Sequence, residues 1–171
     1  MFPEFHVRRY RPTDAGAVWA VHEAAVRDAL PAFDPVADAD LHHVEETYFP
    51  EGEFLVGEVP AGLWTARGPS PSDQQGSTRI VATGGVLPVG GWTAELTGLR
   101  VDPSYQCRGF GRRLTEALER AARRRGFRRV VIDTSEPLAA RRLCESLDYE
   151  EYRQGPLRPG AAPVRCYTKA L

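Results

Sequence analysis

The stretch that most constrains this chain runs from Thr93 to Thr134, where an apolar strand pattern, a glycine-rich turn, a basic amphipathic run and a second apolar strand follow one another without interruption. Thr93 to Val101, TAELTGLRV, reads as the first strand. Leu96 lies on one face of that strand and Leu99 and Val101 on the other, so a regular pleat cannot bury all three together. One extra residue near Gly98, a β-bulge, restores the phase, and bulges occur next to binding sites. From Arg112 to Arg125, Leu114, Ala117, Leu118 and Ala121 recur at helical spacing, and Gly126 is placed to end the helix. Arg129 to Thr134 is then a continuous apolar strand of the kind buried on both faces. Strand, turn, helix and strand in this order make a βαβ crossover with a parallel strand pair, and the turn lies at the carboxyl end of the first strand.

The turn itself contains Gly109 and Gly111, which lack a Cβ and let backbone amides come close to a ligand where the helix start exposes unpaired N–H groups. Such a start favours an anion, most often a phosphate. A Walker A loop needs Gly-Lys-Ser/Thr, and the chain's one lysine is Lys169. A dinucleotide fingerprint needs a third glycine where Leu114 stands. The remaining pattern is Gln-x-x-Gly-x-Gly, present as Gln106, Cys107, Arg108, Gly109, Phe110 and Gly111.

The rest of the chain fits one mixed domain. Its 171 residues are 42% hydrophobic, a single-domain length with enough apolar material for a core. Phe5 to Tyr10 reads as a strand, Pro12 to Asp14 as a capped turn, Ala17 to Leu30 as a helix, Pro31 to Asp40 as a connector and Asp40 to Tyr48 as a second helix ended by Pro50 and Gly52. Phe54 to Val59 and Arg79 to Leu87 are strands joined by a Gly/Pro/Ser-rich mobile hairpin loop, TARGPSPSDQQGS. Pro137 to Leu147 is a last helix, and Glu150 to Arg153 and Val164 to Lys169 are the final strands. The net charge is -1, which gives no overall pull toward nucleic acid or an anionic membrane. The run RRRGFRR belongs to no recognisable RNA-binding module, so RNA binding stays a minor reading and no nucleic-acid partner is expected. Cys107, Cys144 and Cys166 are odd in number and widely spaced, which argues against a disulfide framework or a metal site and fits a reducing, cytoplasmic setting. The adjacent His42 and His43 point about 100° apart on a helix and form no metal pair. No stretch approaches the roughly 20 apolar residues that span a bilayer.

AELTGLRVDPSYQCRGFGRRLTEALERAARRRGFRRVVIDT resembles the central segment of the GNAT superfamily of acyl-CoA-dependent N-acyltransferases, and weaker agreement extends from Arg8 to the terminal CYTKAL. The resemblance implies a twisted, mostly antiparallel sheet of six or seven strands, one parallel pair splayed around the cofactor and helices on both faces. It implies acetyl-CoA as co-substrate, no metal, a small-molecule or protein amine as acceptor and a possible homodimer. Amides from Gln106 through Arg112 (Gln106, Cys107, Arg108, Gly109, Phe110, Gly111, Arg112) are expected at the CoA pyrophosphate, the Leu99, Arg100 and Val101 backbone along the pantetheine arm, and Arg112 and Arg113 near the phosphates. Glu95 matches the glutamate that some members use as general base, and the Leu99 amide is the expected oxyanion donor. The family's last helix reads Asn-x-x-Ala-x-x-x-Tyr-x-x-x-Gly-Phe, whereas here those positions hold Pro137, Ala140, Cys144, Asp148 and Tyr149. The usual tyrosine acid is absent, Cys144 is a weak stand-in, and Tyr149 is expected to pack as the phenylalanine does. A segment with Glu45, Glu46 and Tyr48 is expected on the acceptor side, with the glutamates forming an acidic rim. A CoA-binding regulatory module without turnover is the alternative.

Overall fold

The computed structural model describes residues 4–29, 39–61, 77–134, 139–156 and 163–171. The proposed mobile loop Thr65–Ser77, except for Ser77, most of the Pro31–Asp40 connector, Leu30 and Pro137 lie outside the described residues. Seven strands form one sheet: β1 (His6–Arg9), β2 (Glu53–Pro60), β3 (Thr78–Gly90), β4 (Thr93–Val101), β5 (Arg129–Thr134), β6 (Glu150–Pro156) and β7 (Pro163–Ala170). Their order is β1-β2-β3-β4-β5-β7-β6, and every neighbouring pair is antiparallel except β4 and β5. The expected mixed sheet with one parallel pair is therefore present.

The helices are α1 (Ala15–Ala29), α2 (Val44–Tyr48), α3 (Phe110–Arg124) and α4 (Ala139–Ser146). Alternation along the strands divides the apolar side chains between two cores. Leu96, Ala94, Val130, Ile132 and Tyr167 pack with Leu114, Leu118 and Ala121 of α3 and with Cys144 and Leu147 at α4. On the opposite face, Tyr10, Phe54, Val56 and Ile80 pack with Val18 and Val21 of α1 and with Val44 and Tyr48 of α2. Burying a residue of the size of Leu114 or Leu118, both fully enclosed, contributes about 1.5–3 kcal/mol each.

Most elements form where the side-chain periodicity puts them. The exception is the helix expected over Asp40 to Tyr48, which is instead a 3-10 turn, Ala39–His42, followed by the five-residue α2. His43 breaks it, with φ −132° and ψ 45°, although Leu41, Val44 and Tyr48 are spaced for one helical face and all three are buried. His42 stacks on Trp19 with ring centroids 4.0 Å apart, and His43 lies 3.7 Å from Glu46.

The α3 face also encloses a charged cluster. Glu119 is 3% exposed and accepts from Lys169 Nζ at 3.0 and 3.1 Å and from the Tyr149 hydroxyl at 3.0 Å. Tyr149 is buried as its position predicts, and its hydroxyl ties the start of β6 to α3 and β7. Truncating Lys169 leaves the Glu119 carboxylate enclosed with a weakened partner set, so Lys169→Ala is expected to destabilise the fold by about 2–3 kcal/mol, read from chemical denaturation. Asp148 holds φ +64°, a left-handed conformation that Asp tolerates better than most residues.

Candidate functional site

The site forms where β4 and β5 part. Their parallel pairing runs only over Thr93–Arg129, Ala94–Val130 and Glu95–Val131, after which the strands diverge toward their carboxyl ends. On its other side β4 pairs with β3, and there the register slips: Gly85 faces Thr97 while Thr83 faces Arg100, so β4 carries one residue more than β3. The bulge expected from the misphased Leu96 and Leu99 is present, centred on Gly98 at φ +60°, a conformation open to glycine. Thr83, fully buried, donates its hydroxyl to the Gly98 carbonyl at 3.1 Å and fixes the kink. Leu99, Arg100 and Val101 follow the kink on the strand segment that no longer pairs with β5.

Beyond Val101 the chain turns through a braced loop. The Asp102 carboxylate accepts from the Ser104 amide at 2.9 Å and caps a short 3-10 turn over Pro103–Tyr105. Gln106 donates its side-chain amide to Val101 O at 3.1 Å, and Arg108 donates to Ser104 O at 3.2 Å. Cys107 and Gly109 then both take left-handed conformations, φ +58° and +81°, with Gly109 as the N-cap of α3. Left-handed residues in a tight turn can aim backbone amides toward one side, as an anion cradle requires, and the α3 terminus adds its own unpaired donors there. Phe110, the first residue of α3, is buried and stacks on Phe5 at 4.4 Å.

Gly111 is instructive because the protein's own packing does not require it. A Cβ there would lie 3.6 Å from Leu143 Cδ2 and 3.7 Å from Val101 Cγ2, ordinary contact distances. The two arginines expected near phosphates have protein partners: Arg112 donates to Ser146 O at 2.6 Å and approaches Glu116, while Arg113 donates to Phe5 O at 2.7 Å and lies over the Phe5 ring.

Glu95 is half-buried on β4, two residues before Thr97 and on the same face. Burial raises its carboxyl above the ordinary glutamate range, and the neighbouring charges of Asp133 and Asp40 push it further in the same direction. Asp133 belongs to β5, where it faces Cys166 of β7, and Cys166 hydrogen-bonds to both Asp133 and Tyr152. The Cys166 thiol is pushed to about 11, chiefly by burial and then by Asp133. Asp40 and Asp133 were not identifiable as neighbours of Glu95 from their spacing, since they come from the turn before α2 and from β5. Glu45 and Glu46, by contrast, are exposed on α2.

Cys144, in the place of the family tyrosine, is 2% exposed in the α3-side core, and burial pushes its thiol to about 11. It packs as a small apolar side chain. Among the described residues no group of three or more His, Cys, Asp or Glu side chains is arranged to hold a metal ion, and no helix is long and apolar enough to cross a membrane.

No curated protein sequence matches the chain. Solved structures match it over nearly its full length. An acetyltransferase of the GNAT family from Staphylococcus aureus Mu50 superposes with a TM-score of 0.76 at 15% identity, covering 98% of this chain and 99% of the other. An acetyltransferase from Streptococcus agalactiae gives 0.76 at 19% identity, with 99% and 100% covered. The putative acetyltransferase YncA of Salmonella typhimurium, solved with its cofactor acetyl-CoA, gives 0.71 at 21% identity, with 98% and 94% covered. These likenesses establish the fold. The sequence profile of the Acetyltransferase (GNAT) family matches residues 39–149, which include the bulged strand, the glycine loop, α3 and β5. The chain is therefore a member of the GNAT acetyltransferase family.

Proposed function

We propose that this protein transfers an acetyl group from acetyl-CoA to a primary amine by direct attack within a ternary complex, in the cytoplasm. The observation that carries this reading is the cradle formed by left-handed Cys107 and Gly109 at the start of α3, directly beyond the bulge and the parting of β4 from β5. The residues present fit the cofactor: amides from Gln106 to Arg112 would hold its pyrophosphate, and the Leu99 to Val101 backbone would run beside its pantetheine arm. Acetyl-CoA supplies an activated thioester.

The chain's own groups then have distinct tasks. Glu95, acting directly or through water, takes the proton that the amine must lose, and its raised pKa brings it closer to a base matched to neutral solution. The amine nitrogen attacks the acetyl carbonyl, the C–N bond forms, and the C–S bond breaks. The Leu99 amide donates to the carbonyl oxygen while it carries negative charge. The departing thiolate takes its proton from water, with no dedicated acid, because the thiol at the family's tyrosine position is enclosed and weakly acidic. Cys144→Ala is accordingly expected to change kcat by less than about tenfold, the factor that corresponds to 1.4 kcal/mol in the barrier. A larger fall, with folding intact, would assign Cys144 a part in the chemistry.

The enclosed Cys144 also favours a second reading, a CoA-binding module without turnover. The two separate on one assay: acetyl-CoA incubated with a panel of amines releases free thiol in an amine-dependent manner if the protein is an acetyltransferase, and releases none if it only binds.

A further inference from the structure

We propose that Asp40 and Tyr48 are a positioning pair for the transfer step: Asp40 anchors the Tyr48 hydroxyl, Tyr48 and Thr97 wall the acceptor pocket beside Glu95, and the fixed Asp40 carboxylate sets the charge environment of that base. This rests on the reading of Glu95 as general base. The geometry begins with the seat of Tyr48, which is fully buried although it ends a helix of only five residues. Its ring lies on β3 where Gly85 leaves room, since a Cβ there would come within 2.2 Å of the ring, and it meets the edge of Phe54 at 4.9 Å. The hydroxyl ends beside the bulge, 3.8 Å from where a Cβ on Gly98 would stand. It donates to Asp40 Oδ2 at 2.6 Å, a charge-assisted bond, and the Tyr48 hydroxyl oxygen is the partner of the Thr97 side chain.

A phenol that gives its only proton to a carboxylate presents an acceptor oxygen on its remaining side, which Thr97 uses. The chain Thr97, Tyr48, Asp40 thus has a fixed direction and couples β4 to the turn before α2. Glu95 precedes Thr97 by two residues on the same face, so both project into the same space. The titratable groups facing Glu95 among the described residues are Asp40 from that turn, Tyr48 from α2 and Asp133 from β5, the last held by Cys166 of β7. Two like charges and an anchored phenol surround the base, which holds its carboxyl protonated to higher pH than an exposed glutamate and favours a cationic acceptor entering the pocket.

The test uses the full chain and needs no identified acceptor for its first arm. Glutamate side chains labelled with 13C at the carboxyl are titrated by NMR in the wild type and in Asp40→Asn, with Glu95→Gln assigning the Glu95 signal. Asn keeps an acceptor for the Tyr48 hydroxyl and removes the charge. The Glu95 midpoint is expected to fall by about half to one pH unit. An unchanged midpoint in a folded Asp40→Asn protein would overturn the proposal. With any amine that turns over, the acidic limb of kcat/KM should move down with the midpoint in Asp40→Asn, whereas Tyr48→Phe, which keeps both charges and deletes the anchor, should raise KM for the amine several-fold with the limb nearly in place. Unchanged KM in Tyr48→Phe would remove the positioning role. A midpoint that falls while the limb stays would instead overturn the general-base reading of Glu95.

Discussion

Glu95→Gln is expected to lower kcat by about a hundredfold to a thousandfold at neutral pH and, at the same time, to raise thermal stability. The first effect follows from removing a positioned base, whose usual contribution is about 10²–10⁴-fold. The second follows from the direction of its pKa. Burial first, then Asp133 and Asp40, raise the Glu95 carboxyl in the folded chain above its ordinary value. Between those two values the folded protein binds more protons than the unfolded one, so stability falls as pH rises through that window. Above the window the ionised, half-buried carboxylate is a net cost to the fold, which glutamine removes. Melting curves should therefore place Glu95→Gln above the wild type at about pH 7.5, with the difference closing below about pH 4, where the wild-type carboxyl is neutral in both states. On the acid side, kcat/KM of the wild type should rise with pH through the raised value, and this limb should vanish in the variant. A Glu95→Gln protein with wild-type kcat and pH profile would contradict the role of Glu95.

Gly111→Ala should separate folding from cofactor binding just as sharply. A Cβ at this position finds ordinary contact distances to Leu143 and Val101, and Gly111 lies in the first turn of α3, where alanine is the better helix former by about 0.5–1 kcal/mol. The melting temperature should stay level or rise. If the pyrophosphate approaches the α3 terminus, the same methyl group stands between the phosphate oxygens and the amides, and acetyl-CoA affinity should fall by about tenfold or more. Gly109 cannot serve this purpose as well, because at φ +81° any side chain strains the backbone and weakens the fold together with the site. Undiminished affinity in Gly111→Ala would place the cofactor elsewhere.

What the sequence revealed, and what it concealed, follows from the range of the interactions involved. The conflict of phase between Leu96 and Leu99 announced the bulge because alternation is a local property of a single strand. The spacing of Leu114, Ala117, Leu118 and Ala121 announced α3 for the same reason. The break at His43 was hidden because Leu41, Val44 and Tyr48 are spaced as one continuous helical face would space them, so the local pattern carries no sign of it. The partners of Glu95 were hidden more deeply: Asp40 and Asp133 lie 55 residues before it and 38 after it and meet it only through the sheet order. Tyr149 was placed correctly as a buried ring, but its bond to Glu119 depends on α3 passing under β7, which no periodicity in the last forty residues encodes. Arg112 and Arg113, expected near the phosphates on a helix face otherwise read as solvated, also donate to Ser146 and Phe5, partners that lie far along the chain and leave no trace in the local pattern.

The central claim is that the Gln106 to Arg112 loop binds acetyl-CoA, and calorimetric titration of the purified protein with acetyl-CoA tests it most directly, repeated on a folded Gly111→Ala protein. The account predicts saturable binding to the wild type, with a Kd on the order of micromolar, and weaker binding to the variant. No heat of binding to a folded wild-type protein would contradict it and would remove the acetyltransferase and the CoA-sensor readings together.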